Sequence, residues 1–115
     1  ELGAIVKSLV FKTEDTFIIC LVSGDKRCSL NKLKKILNKK DVAMANADQV
    51  KENTGFSIGG VAPTGHLKKL NIIVDKSLSR FKYVYGAAGH PDCVFRITYP
   101  DLVRLTTGSE QEITE

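Results

Sequence analysis

The sequence predicts a single compact domain of the α+β (mixed α/β) class. Its sheet is expected to be mixed, mostly antiparallel and built from about six or seven strands with short flanking helices. Short β-branched, apolar runs recur along the chain, as is typical of strands in a partly buried sheet. Helical segments occur only intermittently between these runs, which argues against a doubly wound fold. The length of 115 residues, with 43% hydrophobic and 26% charged residues, is typical of one globular domain.

The first third of the chain predicts a hairpin followed by a helix. Residues 4–12 (AIVKSLVFK) and 16–22 (TFIICLV) are apolar and β-branched, and the residues between them are polar. Ser29 occupies the position of a helix N-cap before residues 30–37 (LNKLKKIL), in which apolar side chains fall on one face and lysines on the other. Residues 42–45 (VAMA) are a candidate short strand.

The middle of the chain predicts a second helix and a glycine-rich loop. Asn46 and Gln49 have the spacing of a capping box that opens a helix over residues 47–54, and Gly55 is placed to end it. The loop Gly55–His66 (GFSIGGVAPTGH) follows.

The remaining elements are predicted in order along the chain. They are a strand at 70–75, one helical turn at 76–81, a strand at 82–86, a small-residue loop at 86–92 (GAAGHPD) and a strand at 93–98. Pro100 fits the first position of a last helix and Gly108 lies beyond its end. The domain is therefore predicted to cover residues 1–108, with a polar tail at 109–115 that frays.

Cysteine and histidine content argues against several kinds of site. Cys20, Cys28 and Cys93 are odd in number and lack CxxC spacing, so neither a disulfide framework nor a zinc site is indicated. With only two histidines and no acidic cluster, no metal and no cofactor are expected. No apolar run approaches the ~20 residues of a membrane helix, and no signal peptide is evident. These observations indicate a cytoplasmic protein with reduced thiols that does not enter a membrane.

Positive charge is concentrated in two segments. The net charge is +4, and residues 25–40 hold seven lysines and arginines against one acid. A second basic group comprises Lys68, Lys69, Lys76, Arg80 and Lys82. This distribution favours a polyanionic partner, although a solvated lysine-rich helix face would give the same pattern. Because tryptophan is absent and few aromatic residues lie among the lysines, base stacking is not the expected binding mode.

The glycine-rich loop allows two interpretations. Glycine loses more conformational freedom on folding than other residues, so a cluster of glycines indicates tight turns or a close approach of bare backbone to a ligand. The loop is therefore either a double turn between elements or a wall of backbone N–H groups facing an anionic or carbonyl ligand. A dinucleotide-binding loop or P-loop is not indicated, because a helix precedes the loop, a strand follows it, and no GxxxxGK[ST] occurs.

Three elements could converge at one end of the sheet. They are the glycine-rich loop, His90 within the second small-residue loop, and Lys7, which is a lone charge in an apolar strand. Each also has a structural explanation: Lys7 as an outward-facing strand lysine, His90 as a loop residue bonded to backbone, and His66 as a cap on a turn. No GxSxG elbow or Ser–His–Asp set indicates covalent catalysis.

Four collinear segments between Ile5 and Gly108 resemble the YbaK/prolyl-tRNA-synthetase-associated editing domain family. They are VKSLVF, TGFSIGGVAPTGH, IIVDKSL and GAAGHPDCVFRITYPDLVRLTTG. The resemblance implies a single domain that hydrolyses the ester of mischarged aminoacyl-tRNA, with substrates of the tRNA(Pro) type and action in trans. Its implied partners are the acceptor end of the tRNA and an aminoacyl-tRNA synthetase, and the expected state is a monomer or weak dimer.

The resemblance also implies site residues. Lys7 matches the family's functional strand lysine, which is expected to meet the terminal phosphate or ribose. Gly60 is expected to supply an amide to the reacting carbonyl, and His90 to bind the substrate ammonium or position water. Substrate binding is expected from the two small-residue loops through Gly59, Val61, Pro63, Gly65, Ala88 and Gly89. Metal ligands are not implied.

Two points remain open from the sequence. Family members carry a further N-terminal helix and strand, whereas this chain begins almost on the lysine strand, so it is either a fragment or has a pocket more open than theirs. A non-catalytic module of the same fold, binding tRNA or a synthetase or sensing an amino acid, is the alternative function. Release of amino acid from mischarged tRNA would distinguish these alternatives.

Overall fold

A five-stranded mixed sheet and a separate two-stranded hairpin form the framework of the protein in a computed structural model. The structure describes residues 2–90 and 93–115, and for Gly89 and His90 it describes the backbone alone. The strands are β1 (Val6–Lys12), β2 (Phe17–Ser23), β3 (Ala43–Met44), β4 (Asn71–Asp75), β5 (Tyr83–His90), β6 (Cys93–Thr98) and β7 (Ser109–Gln111).

The large sheet has the order β3-β1-β2-β4-β7. Strand β1 pairs antiparallel with both β2 and β3, whereas β2, β4 and β7 run parallel to one another. The predicted mixed α+β class is therefore confirmed. The seven strands are divided between two sheets, with β5 and β6 forming an antiparallel hairpin beside the large sheet.

Strand β5 is longer than the sequence predicts. The predicted loop at 86–92 is wrong for residues 86–90, because β5 continues to His90 and pairs with β6. The absence of a side chain at Gly86 explains part of this: a Cβ there would lie 3.0 Å from the Phe95 ring, so glycine lets the ring pack closely over the paired strand. Pro91 and Asp92, the rest of the predicted loop, lie outside the described residues.

The three α-helices begin at the side-chain caps that the sequence predicts for the first two. Helix α1 (Leu30–Leu37) follows Ser29, whose hydroxyl accepts from the Lys32 amide. Helix α2 (Ala47–Thr54) opens with the complete Asn46–Gln49 capping box. Helix α3 (Tyr99–Thr106) begins one residue before Pro100 and is capped by the Thr98 hydroxyl. A 3₁₀ turn at Lys76–Arg80 follows β4.

The large sheet has an apolar core on each face. Alternate residues of β1 and β2 contribute to opposite cores, as the two-residue period of a strand requires. The first core contains Val6, Val10, Ile19, Leu21, Ala45, Val50, Val61, Val74, Leu78, Val84, Tyr99 and Leu102. The second contains Phe11, Ile18, Cys20, Val22, Leu33, Val42, Ile73 and Ile113. The glycine-rich loop packs on the first core through Val61, and α1 packs on the second through Leu33.

The C-terminal segment is ordered, so the predicted frayed tail is wrong. Residues Ser109–Gln111 form β7, which extends the sheet beside β4. Ile113 is fully buried, and its amide donates to the Asp75 carboxylate at 2.7 Å. The sequence pattern of this segment is polar because β7 is an edge strand, while its stability comes from backbone pairing and from one buried side chain.

Within residues 2–90 and 93–115, no helix combines the length and the apolar character that crossing a bilayer would require.

Candidate functional site

A cavity of about 380 Å³ lies where the first half of β1, the glycine-rich loop and β5 meet. Its lining is mostly apolar. The lining residues are Ile5, Val6, Lys7, Ser8, Leu9, Val10, Met44, Ala45, Val50, Ile58, Gly59, Val61 and Ala87. Such a space suits an uncharged group of modest size, with orientation fixed by a few polar groups.

The outer edge of β1 supplies polar groups to this cavity. Strand β3 pairs only with Phe11 and Lys12, and a single bridge joins Ile5 to Tyr85 of β5. Because the Ile5 carbonyl accepts from Gly24 on the β2 side, the backbone groups of Ser8 point to the opposite side, away from β2. The N–H and C=O of Ser8 therefore face the cavity as one donor and one acceptor.

Lys7 lines the cavity at the start of β1, and its ammonium is held in place. The side chain is half-buried, and its Nζ donates to the carbonyl oxygen of Lys26 at 2.6 Å. Strand alternation puts this side chain on the sheet face opposite that of Ser8. An ammonium carries three donors, so the bond to Lys26 leaves two for a ligand. Lys7 is thus a fixed cation whose residue lines the cavity at the start of β1 and whose ammonium is held beside the turn at Lys26.

The turn that presents the Lys26 carbonyl is fixed by an ion pair. The Lys26 amide donates to the Ser23 carbonyl at 3.0 Å, which closes the turn. Asp25 accepts from the Arg80 guanidinium and from the Ser23 hydroxyl, each at 2.8 Å. The guanidinium beside Asp25, together with the Ser23 hydroxyl, lowers the pKa of that carboxyl to about 2. The position of the Lys7 ammonium therefore depends, through this turn, on Arg80.

The glycine-rich loop contains the tight turns that one interpretation of its sequence predicts. Gly55, Gly59 and Gly65 have φ values of 81°, 86° and 80°, which favour glycine, so turn geometry accounts for these three. Gly60 is buried, and its amide donates to the Ser57 carbonyl at 2.9 Å.

The loop also contains backbone amides without an acceptor among the described residues. Within the described residues, the amides of Gly59 and Val61 donate to no acceptor, and both residues line the cavity. A Cβ at Gly59 would meet nothing within 4 Å, so the backbone there is open to a ligand. Gly59 and Val61 therefore keep amides that are candidate donors to a ligand, whereas the amide of Gly60 closes a turn.

His66 stabilises the loop. Its Nε2 lies 2.6 Å from the Ala62 carbonyl oxygen, and its ring packs edge-on against Phe56 with centroids 6.0 Å apart. Both contacts are internal to the loop, in agreement with a turn-capping histidine.

Three of the predicted site residues meet at the cavity: Lys7, Gly59 and Val61. Gly60 and Pro63 are buried and do not line it, and neither do the exposed Gly65 and Ala88. Ala87, the neighbour of Ala88, takes the place in the lining instead. The side chains of Gly89 and His90 lie outside the described residues, so the structure gives no position for the predicted imidazole.

The sequence interpretation missed the apolar lining and Ser8. The alternation in β1 could have indicated that Val6, Ser8 and Val10 share one face. The contributions of Val50 and Ile58 depend on how α2 and the loop fold over β1, which has no local sequence signature. Among the described residues, no three His, Cys, Asp or Glu side chains cluster as metal ligands.

The family model for the aminoacyl-tRNA editing domain matches residues 1–105. The chain belongs to this family. A solved structure described as a proposed trans-editing enzyme for prolyl tRNA synthetase matches all of the chain and 73% of its own length, with a TM-score of 0.96 and 38% identity. The resemblance identified from the sequence is thereby confirmed.

Curated relatives include both long and short proteins. A proline–tRNA ligase of Thermosipho africanus is 40% identical over 83 residues, which are 71% of this chain and 15% of the ligase. The protein YwhH of Bacillus subtilis is 33% identical over 103 residues, or 89% of this chain and 65% of YwhH. The editing domain therefore spans a small part of the ligases it matches and just under two thirds of YwhH.

Proposed function

We propose that this editing domain is an aminoacyl-tRNA deacylase that hydrolyses the ester of mischarged tRNA in trans, with tRNA(Pro) as the nucleic-acid substrate. The observation that carries the proposal is the cavity lined both by β1, with Lys7, and by Gly59 and Val61, whose amides have no acceptor among the described residues. Membership of the editing-domain family and the similarity to prolyl-tRNA synthetases support it.

The reaction requires few chemical groups from the protein. The oxygen of a water molecule adds to the ester carbonyl carbon, the bond from that carbon to the ribose oxygen breaks, and the ribose oxygen takes up a proton. The products are the free amino acid and a tRNA with both terminal hydroxyls. The vicinal hydroxyl of the ribose is suited to assist the proton transfer, since no protein general base has been assigned within the described residues.

The loop amides are proposed to stabilise the developing oxyanion. Backbone N–H groups fixed in place before the reaction stabilise negative charge without reorganising, and removing one such donor typically costs about 10²–10³ in rate. Gly59 and Val61 supply the two candidate donors. Gly60 is not assigned this role, because its amide is already bonded to Ser57.

Lys7 is proposed to orient the substrate. Its ammonium keeps two donors while bound to the Lys26 carbonyl, which suits a contact with the terminal phosphate or ribose. His90 is proposed, from the family resemblance, to bind the substrate ammonium or to position water. Ser8 adds an outward carbonyl and amide at the β1 edge that are suited to the polar groups of the amino acid.

The apolar lining favours a small uncharged aminoacyl side chain. A cationic side chain would lose its hydration without gaining a partner, because Lys7, itself a cation, is the lone ionisable residue among the described lining residues. Alanyl, seryl and cysteinyl esters are therefore the substrates to test first.

The proposal is tested by incubating the protein with tRNA(Pro) charged with alanine, serine or cysteine and measuring the release of free amino acid. Correctly charged prolyl-tRNA(Pro) serves as the control. Release from at least one mischarged tRNA, faster than from the control, is expected. Tight binding of all of them without release would instead identify a non-catalytic tRNA-binding module.

A further inference from the structure

A second, polar cavity lies at the carboxyl edge of the three parallel strands. It measures about 410 Å³ and is formed by the segments that follow β2, β4 and β7. Its lining residues are Lys26, Lys32, Asp75, Lys76, Ser77, Ser79, Arg80, Glu112 and Thr114. In open sheets with parallel strands, ligands commonly bind in the crevice beyond the carboxyl ends of the strands.

The charge of this cavity favours an anion. Four cationic side chains line it against two carboxylates. Of the two carboxylates, Asp75 is buried and already accepts hydrogen bonds from the Ser77 amide, the Ile113 amide and the Thr114 hydroxyl.

Two of the four cations that line the cavity already have a partner. Arg80 pairs with Asp25, and Lys32 donates to the Thr114 carbonyl. Within the described residues, the ammonium groups of Lys26 and Lys76 form no ion pair. These two lysines are the cations available to a ligand.

Ser77 supplies a second, independent indication. Among the described side chains it alone has a buried oxygen without a hydrogen-bond partner. A buried hydroxyl left unpaired costs free energy, so a rotation of the Ser77 side chain that brings it to an acceptor in the cavity would be favourable. A phosphoryl oxygen is a suitable partner, because it accepts from a hydroxyl while lysines neutralise its charge.

The cavity is linked to the proposed active site through one contact. Lys26 lines the polar cavity, and its carbonyl oxygen holds the ammonium of Lys7, which lines the apolar cavity. Lys26 therefore lies in contact with a residue of the proposed active site.

We propose that this polar cavity binds a backbone phosphate of the substrate RNA, by ion pairing with Lys26 and Lys76 and a hydrogen bond from the Ser77 hydroxyl. The assignment to RNA rests on the proposed function, whereas the phosphate chemistry rests on the cavity itself. The site would contribute affinity for the RNA acceptor end while taking no part in ester cleavage.

The phosphate chemistry is tested by titrating isotopically labelled protein with inorganic phosphate and following its amide resonances. The resonances of Lys26, Lys76 and Ser77 are expected to shift together, with an affinity that falls about tenfold in Ser77→Ala. Thermal unfolding of the variant checks that it is folded. Absence of shifts at these residues, or equal affinity in Ser77→Ala, would overturn the proposal.

The assignment to RNA is tested with an uncharged acceptor-stem microhelix, which separates binding from deacylation. Lys26→Gln and Lys76→Gln are each expected to reduce the dependence of log affinity on log salt by about 0.7–0.9, the value for one lost phosphate contact. Lys35→Gln, an exposed lysine on α1, is the matched control and should change it less. Equal effects at all three lysines would refute an RNA phosphate in this cavity, even if deacylase activity is found.

Discussion

The Nζ of Lys7 lies 2.6 Å from the carbonyl oxygen of Lys26, so the cation at the start of β1 is held by the turn that follows β2. The Asp25–Arg80 ion pair, at 2.8 Å, fixes the conformation of that turn. The position of the ammonium therefore depends on residues far from Lys7 in the sequence. This arrangement makes specific predictions about stability, specificity and activity.

The Asp25–Arg80 pair should make stability depend on acid pH. The folded-state pKa of Asp25 is lowered from 3.8 to about 2, so its contribution is present above 3.8 and is lost as the pH falls toward 2. Asp25→Asn should therefore be less stable than the unmodified protein above pH 3.8, and the difference should shrink toward pH 2. Urea unfolding across this range measures it, with Glu52→Gln, an exposed acid on α2, as the control. A difference independent of pH would contradict the role of this ionised pair.

The size of the apolar cavity should set which aminoacyl group is removed. Ala87→Leu adds bulk to the lining, so kcat/KM for larger aminoacyl esters should fall about tenfold or more relative to alanyl-tRNA. Ala88→Leu is the matched control, because Ala88 is exposed and does not line the cavity. Steady-state deacylation of the mischarged tRNA panel provides the comparison. The cavity would lose its assigned role if both variants changed the substrate preference equally.

Backbone conformation rather than packing should limit substitution at Gly59. Its φ of 86° strains any side chain, whereas a Cβ would meet nothing within 4 Å. Gly59→Ala should therefore lose about 1–2 kcal/mol of unfolding free energy, and Gly59→Asn should lose less, since asparagine tolerates this region better. Chemical denaturation of both variants tests the prediction. If alanine were as stable as glycine, the loop would have a different conformation in solution.

The C-terminal segment should be part of the stable fold. Ile113 is fully buried in the second core, so Ile113→Ala should cost about 2–5 kcal/mol of unfolding free energy. Ile36→Ala, on the partly exposed face of α1, is a matched control and should cost less. Urea denaturation gives both values. Similar losses for the two variants would mean that the segment after β7 is not packed in solution.

Local sequence patterns predicted the local elements well. The Asn46–Gln49 capping box and the Ser29 cap were readable because each involves residues three positions apart. The end of β5 and the whole of β7 were not predicted, because they depend on pairing with β6 and β4. Polar residues such as Ser109–Gln111 carry no alternation that would indicate an edge strand.

The sequence predicted which segments meet at the candidate site but not which backbone amides are left as candidate donors. The sequence indicated that Lys7 and the glycine-rich loop would converge, and both line the cavity. Which loop amide is left as a candidate donor depends on which one closes the turn, and the structure shows that the Gly60 amide closes it. The apolar lining from α2 arises from tertiary packing, which single-sequence patterns do not encode.

The most direct test of the proposed deacylase compares Lys7→Ala with Lys12→Ala, which removes an exposed lysine from the far end of the same strand. Single-turnover release of amino acid from mischarged tRNA(Pro) is measured for each, with thermal unfolding to check folding. Release should fall about 10²-fold or more in Lys7→Ala and stay near normal in Lys12→Ala. Equal, near-normal release by both variants would contradict a role of Lys7 in deacylation.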